Sequence, residues 1–185
     1  MDRFSAYLLV RRFLRTDSAR NRALAVEAMM EDLAARLGEP DAPVWGLLGL
    51  LSQMDLEYAE HNPKARGKTA RQQAELEGLS QEAARSLERW CHLASSTEEE
   101  PRPLLEDALF LADAVGALAW SSPGDDRSFS EEWAESLGQA LDLRRQSGDP
   151  AGDRLDAALT RLHLEAMEAA RLARSSLGRV EQDLR

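Results

Sequence analysis

The chain has 185 residues, 43% of them hydrophobic and 30% charged, with a formal net charge of −10 and a pI near 4.9. That length and balance suit one soluble globular domain with a core of its own, and the acidic surplus argues against a nucleic-acid binder, which would need a basic patch. No apolar run approaches the roughly 20 residues that span a bilayer. The opening MDRFSAYLLVRRFLR is interrupted by Arg11 and Arg12 and lacks a small-residue cleavage site, so the expected location is cytoplasmic.

Taken in chain order, the sequence predicts one helix after another, with Gly, Pro, Ser and Asp as punctuation and no sustained strand-like alternation. A first helix is expected over Asp2 to Arg15, with Phe4, Leu8 and Leu14 among its apolar positions. Thr16, Asp17 or Ser18 can cap a second, which carries Leu24, Ala25, Ala28, Met29, Leu33 and Leu37 and stops at Gly38. Asp41 and Pro43 start a short, very apolar helix, PVWGLLGLL, of the kind that is buried on most sides. A polar connection, SQMDLEYAEHNPKARGK, follows. A helix is expected from Thr69 to Glu77, broken at Gly78, and Ser80 caps the next one through Leu93.

SSTEEEPRP and SSPGDDRS read as surface loops on either side of the helix LLEDALFLADAVGALAW, which Pro103 opens. Ser130 with Glu131 and Glu132 begins a further helix, and SGDPAGD makes the last break. One long helix is then expected from Arg154 to Leu177, striped by Leu155, Leu159, Leu162, Ala166 and Met167. The stripe could form a dimer interface, but covering the domain's own core is the simpler role. The expected class is all-α, a single-domain helical bundle over residues 1–185.

Few side chains offer chemistry. The single cysteine, Cys91, has no disulfide or CxxC partner and reads as a half-buried, inert thiol. His61 lies in a polar stretch and His163 on the terminal helix, both expected at the surface or partly packed. Trp45, Trp90, Trp120 and Trp133 are expected in the core. No Ser-His-Asp or Cys-His arrangement suggests a nucleophile system. The only dense basic stretch, PKARGKTAR, is short and flanked by acids. The basic residues are almost all Arg, and Ile is absent, a bias expected of a GC-rich bacterial genome.

Three ordered segments carry a family resemblance: NRALAVEAMMEDLAARLGE at 21–39, VWGLLGLLSQMDLE at 44–57 and LLEDALFLADAVGALAW at 104–120. Together they resemble the bacterial HD-domain hydrolases of the short, HDIG-like kind. Those proteins carry a His before LAVE, a WGLAGLLHD segment, and an ALxxADxL helix whose Asp completes a metal site. The resemblance covers residues 1–125, with 126–185 as C-terminal helices packed on that core. It implies a phosphohydrolase fold whose metals polarise a phosphate and activate a bound water.

The ligand positions depart from that pattern. Arg22 stands where the first His is expected, Ser52 and Gln53 stand for the adjacent His and Asp, and Arg66, followed by Gly67, stands for a later His. Asp113 and Asp55 survive, and His92 falls near a further family His. Arginine stays protonated and offers a metal no lone pair, but it can neutralise a buried carboxylate that would otherwise be costly. The expectation is therefore a vestigial site, formed by Arg22, Ser52, Gln53, Asp55, Arg66, His92 and Asp113, with no metal, no cofactor and no catalytic residue. In it Arg22, Arg66 or both pair with Asp113, or hold an anion.

Three functions follow as expectations. One is a catalytically inactive protein that binds a partner protein or a phosphate-bearing small molecule. Another is an active metal-dependent phosphohydrolase recruiting Asp55, Asp113, His92 and His61. The last is a structural or homo-oligomer-forming helical protein.

Overall fold

A computed structural model describes residues 1–59, 61–62, 65–91, 103–121 and 129–183. The described residues are all-α, with no strand. In order the helices are α1 (Arg3–Phe13), α2 (Asp17–Leu37), α3 (Ala42–Ser52), the single turn α4 (Leu56–Ala59), α5 (Lys68–Leu76), α6 (Gln81–Arg89), α7 (Leu104–Ser121), α8 (Glu131–Arg145), α9 (Pro150–Arg161) and α10 (Ala166–Asp183).

Side-chain caps set most of the starts. Asp2, Thr16, Ser80, Ser130 and Asp149 each accept a hydrogen bond from a backbone N–H in the first turn that follows, satisfying a donor the helix itself leaves unpaired. Gly38 ends α2 in the left-handed conformation, φ 74°, where a Cβ is disfavoured. The loops expected at 95–103 and 121–128 lie outside the described residues except for Pro103 and Ser121.

Two expected boundaries are corrected. The helix that Ser80 caps ends at Arg89, with Trp90 as its C-cap and Cys91 in a turn, before the expected Leu93. The long terminal helix from Arg154 to Leu177 is in fact two, α9 and α10. Between them His163 has φ 52°, the Leu164 N–H reaches back to the Leu159 carbonyl at 3.0 Å and the His163 N–H to Thr160 at 3.2 Å. This is a Schellman stop with His in the left-handed place usually held by Gly. Glu168 then caps the new helix by accepting from the Glu165 N–H at 3.0 Å.

The expected apolar stripe bridges the break: Leu155, Leu159, Leu162 and Ala166 are all buried, while Met167 is half-buried. It belongs to a core cluster that joins α1, α2, α3, α7, α8, α9 and α10. In α1 the core side is Ala6, Leu9 and Val10, whereas Phe4 and Leu8 face outward.

α2 is the centre of the bundle. Every residue from Ala23 to Met30 is buried, which a surface helix would not show, and α3, α7 and α10 pack around it. α3 is buried from Trp45 to Ser52. It approaches α2 through glycine: a Cβ on Gly49 would stand 2.9 Å from the Val26 carbonyl oxygen. That close seating brings Ser52 and Gln53, at the end of α3, beside the second turn of α2 and the middle of α7. Described helices include none long and apolar enough to cross a membrane.

Candidate functional site

The residues singled out from the sequence converge from four parts of the chain. Arg22 comes from α2, Ser52 and Gln53 from the end of α3, Arg66 from two residues before α5, and Asp113 from the middle of α7. Arg22 Nη2 donates to Asp113 Oδ1 at 2.6 Å and to the Asp113 carbonyl oxygen at 3.3 Å. Arg66 Nη2 donates to the same Oδ1 at 3.0 Å and to Gln53 Oε1 at 3.4 Å. Gln53 Nε2 donates to Oδ1 at 3.0 Å and to Ser52 Oγ at 3.0 Å, and Ser52 Oγ donates to the Gly49 carbonyl at 2.7 Å. One carboxylate oxygen thus gathers three N–H donors, two of them cationic.

Arg66 also reaches the second surviving acid. Its Nη1 lies 3.5 Å from Asp55 Oδ1, and its guanidinium carbon lies 5.2 Å from the centroid of the Trp90 ring, within cation–π range. Asp55, the second surviving acid of the expected vestigial site, is buried to 1% exposure. It faces the N-terminus of α5, where the Gly67 and Ala70 N–H groups favour its negative charge. The start of the connection after α3, read as polar, is therefore interior: Ser52, Gln53, Met54 and Asp55 are all buried.

The two acids are tuned in opposite directions. Burial alone raises the Asp113 carboxyl, but the Arg66 and Arg22 guanidinium groups and the Gln53 amide outweigh it and hold it below the ordinary carboxylate value. For Asp55 burial prevails over the attraction of Arg66 and the two backbone N–H groups, and its pKa is raised. Burial, against the pull of Arg66, also pushes the Cys91 thiol up to about 11, so Cys91 is a poor nucleophile. Its Sγ contacts the Glu88 and Arg66 carbonyls at 3.1 and 3.4 Å.

Two glycines make this geometry possible. Gly67 has φ 79°, and a Cβ there would stand 2.3 Å from the Leu87 carbonyl oxygen. Only glycine turns the chain so tightly against α6, and that turn carries Arg66 to Trp90. Gly116, one turn beyond Asp113, lets α7 close on α2, since a Cβ there would meet Val26 Cγ2 at 3.1 Å and Arg22 at 3.4 Å.

A divalent cation does not fit this arrangement. Asp113 Oδ1 is enclosed by N–H donors, and two of the four positions where the resemblance expects other ligands, Arg22 and Arg66, carry guanidinium groups, which have no lone pair to give. Among the described residues, no group of three or more His, Cys, Asp or Glu is placed to hold a metal ion. His92 lies outside the described residues. His61 is exposed, and His163 serves as the exposed helix stop. Trp45 and Trp90 are core residues and Trp133 is half-buried; the side chain of Trp120 lies outside the described residues.

A second polar cluster lies at the start of α7, at residues the sequence analysis did not single out. Buried Asp107 pairs with Arg154 and, at 2.6 Å, with Arg161, while Glu106 pairs with Arg89 at 2.7 Å. Arg154 also lies 5.1 Å over the Phe110 ring. The one available signal was spacing: Glu106 and Asp113 are seven apart and so share a helix face. The basic stretch around Arg66 is neutralised internally as well, with Arg71 held by Glu88 at 2.7 Å and Glu75 at 3.1 Å.

The chain matches no protein-family model, no curated protein and no solved structure.

Proposed function

We propose that this chain is a non-catalytic binding protein, in which a guanidinium clamp occupies the place where the HD-domain resemblance puts metal ligands. The observation that carries the reading is the pair of arginine nitrogens on one oxygen of Asp113, at 2.6 and 3.0 Å. Hydrolysis of the kind the resemblance implies needs a cation that lowers the pKa of a bound water. A guanidinium supplies charge but coordinates no water for deprotonation. The Ser52 and Gln53 side chains support the same reading, because they act as hydrogen-bond relays to Gly49 and Asp113. A bacterial cytoplasmic setting accords with the Arg-rich, Ile-free composition.

Arg22 and Arg66 were also weighed as an anion site. Their charges are balanced locally by Asp55 and Asp113, so we place ligand recognition elsewhere on the molecule. The test is elemental analysis of chelator-free protein, before and after incubation with Mn, Fe, Mg and Zn, alongside thermal unfolding in each metal. The expected result is no stoichiometric metal and an unchanged melting temperature. Stoichiometric metal that disappears in Asp113→Asn would overturn the proposal and restore a hydrolase reading.

A further inference from the structure

On the side of α2 away from Asp113, two carboxylates one turn apart face a cavity between α1, α2 and α10. Glu27 and Glu31 both line it, and its volume is about 650 Å³, within the range of small-molecule sites. Residues four apart on a helix are neighbours, and like charges there repel. Burial, against the pull of Arg3, raises the Glu27 carboxyl above its ordinary value, and the charge of Glu31 adds to the rise.

Each lining charge can be followed to its partner. Buried Glu27 is met from α1, where Arg3 Nε donates to Oε1 at 2.6 Å and Arg3 Nη2 to Oε2 at 2.9 Å. Arg179, from α10, is held by Asp32 at 2.8 Å and donates to the Ala28 carbonyl at 3.4 Å. The half-buried Glu31 carboxylate forms no ion pair or hydrogen bond with a described residue. Two cations, Arg3 and Arg179, thus stand against three acids, Glu27, Asp32 and Glu31, and the uncompensated charge resides on Glu31. Arg11, whose guanidinium carbon lies 5.8 Å from the centroid of the Tyr7 ring, is exposed and does not line the cavity.

The seat of that charge is built by a missing side chain. A Cβ on Gly46 would stand 2.8 Å from Glu31 Oε1, so the carboxylate rests against bare backbone of α3. Beside it Tyr7, Leu24 and Val180 supply apolar wall. One carboxylate is too few ligands for a divalent ion, and among the described residues no group of three or more His, Cys, Asp or Glu is placed to hold one. The net charge of −10 draws cations toward the molecule.

We infer that this cavity binds a small organic cation, with its ammonium or guanidinium group on Glu31 and its apolar body against Tyr7, Leu24 and Val180. The inference gives the proposed binding protein a ligand class and rests on that reading. No residue of the Asp113 site lines this cavity, so the elemental analysis above and the titration below fail independently.

The probe is phenethylammonium, with neutral phenethyl alcohol and anionic phenylacetate as controls that keep the ring. Binding to the full chain is measured in chelator by calorimetry and by amide chemical-shift changes. The expected result is saturable binding of the cation, with shifts in α1, α2 and α10, at least about tenfold tighter than either control. Glu31→Gln should weaken it about tenfold, the scale of one charge-assisted hydrogen bond. That variant keeps the side chain's size and relieves the repulsion at Glu27, so it should melt no lower than the parent. Asp153→Asn, which removes an exposed acid of α9 outside the lining, should leave the affinity unchanged. No saturable binding to the parent, or equal affinity for the alcohol, overturns the inference. So do equal losses in Glu31→Gln and Asp153→Asn, which would mean diffuse attraction to an acidic surface.

Discussion

Replacing Asp113 by Asn removes the one carboxylate on which Arg22, Arg66 and Gln53 converge, and the cost can be worked from the geometry. The three charged side chains are 22%, 15% and 12% exposed for Asp113, Arg22 and Arg66, so solvent compensates little. Removing one partner of a buried ion pair costs about 3–5 kcal/mol. Asn keeps an oxygen that can accept one of the guanidinium hydrogens, and Arg66 keeps Asp55 and Trp90, which places the expected loss near the lower end, about 3 kcal/mol. For a chain of this size that corresponds to a fall of about 6–12 °C in melting temperature. Arg22→Gln should cost less, about 1–2 kcal/mol, because Arg66 and Gln53 still neutralise and hydrogen-bond Asp113. The double variant should lose less than the sum of the two. Urea unfolding monitored by far-UV circular dichroism measures all three. An Asp113→Asn variant within about 0.5 kcal/mol of the parent, the range of ordinary surface changes, would refute the view that the clamp holds the core together.

The remaining predictions concern pH, backbone and reactivity. Asp113, with its pKa lowered in the fold, stabilises above its unfolded value of about 3.9 and loses that contribution as pH falls through the lower folded value. Asp55 has the opposite sign: its pKa is raised, so its contribution is present at low pH and is lost as pH rises through the folded value. Asp55→Asn should therefore be more stable than the parent at pH 7 in urea melts, by a margin that shrinks as pH is lowered toward about 4. Gly67→Ala meets both a positive φ and a Leu87 carbonyl 2.3 Å from the new Cβ, so it should destabilise by about 3 kcal/mol or more. It should also make Cys91, sluggish toward thiol reagents in the parent, react faster. His163→Gly relieves a left-handed non-glycine residue, φ 52°, and should raise stability by up to about 1 kcal/mol in the same melts.

The helix boundaries that could be read in advance are those fixed by local chemistry. Thr16, Ser80 and Ser130 announce starts because a short side-chain oxygen before an apolar-periodic run has a definite hydrogen-bonding task, whereas Asp149, read as part of a break, caps an α9 that begins at Pro150, ahead of the expected start at Arg154. The break between α9 and α10 gave no such sign. Its left-handed residue is His rather than Gly, and the spacing from Leu155 through Leu159 and Leu162 to Ala166 stays helical across the stop, so periodicity alone reads straight through it. The interior position of Asp55 was equally hidden. SQMDLE is polar enough to pass for a loop, and its burial comes from tertiary neighbours, Arg66 and the first N–H groups of α5, that no local pattern encodes. The pairing of Arg22 and Arg66 with Asp113 could be reasoned from charge, since an acid within an apolar helix needs a cation nearby. The matching requirement at Asp107 went unread because no motif singled out Asp107 or its partners, Arg154 and Arg161.

The charge arithmetic of the site bears on the proposed metal-free reading. Arg22 and Arg66 contribute two positive charges, Asp55 and Asp113 two negative ones, and the four side chains lie in ion-pair contact with a net charge of zero. At about 4 Å and an effective dielectric constant near 20, each unit pair is worth about 4 kcal/mol. A divalent cation entering such a cluster would gain from the acids roughly what it lost to the arginines. Its own dehydration would then stand uncompensated, and it would prefer water. If either arginine were neutral, the balance would tip toward an added cation, since the acids would be in excess by one charge. The metal exclusion proposed above would thus depend on both guanidinium groups together. The same closure leaves the Asp55 charge met by Arg66 and by the Gly67 and Ala70 N–H groups at the start of α5.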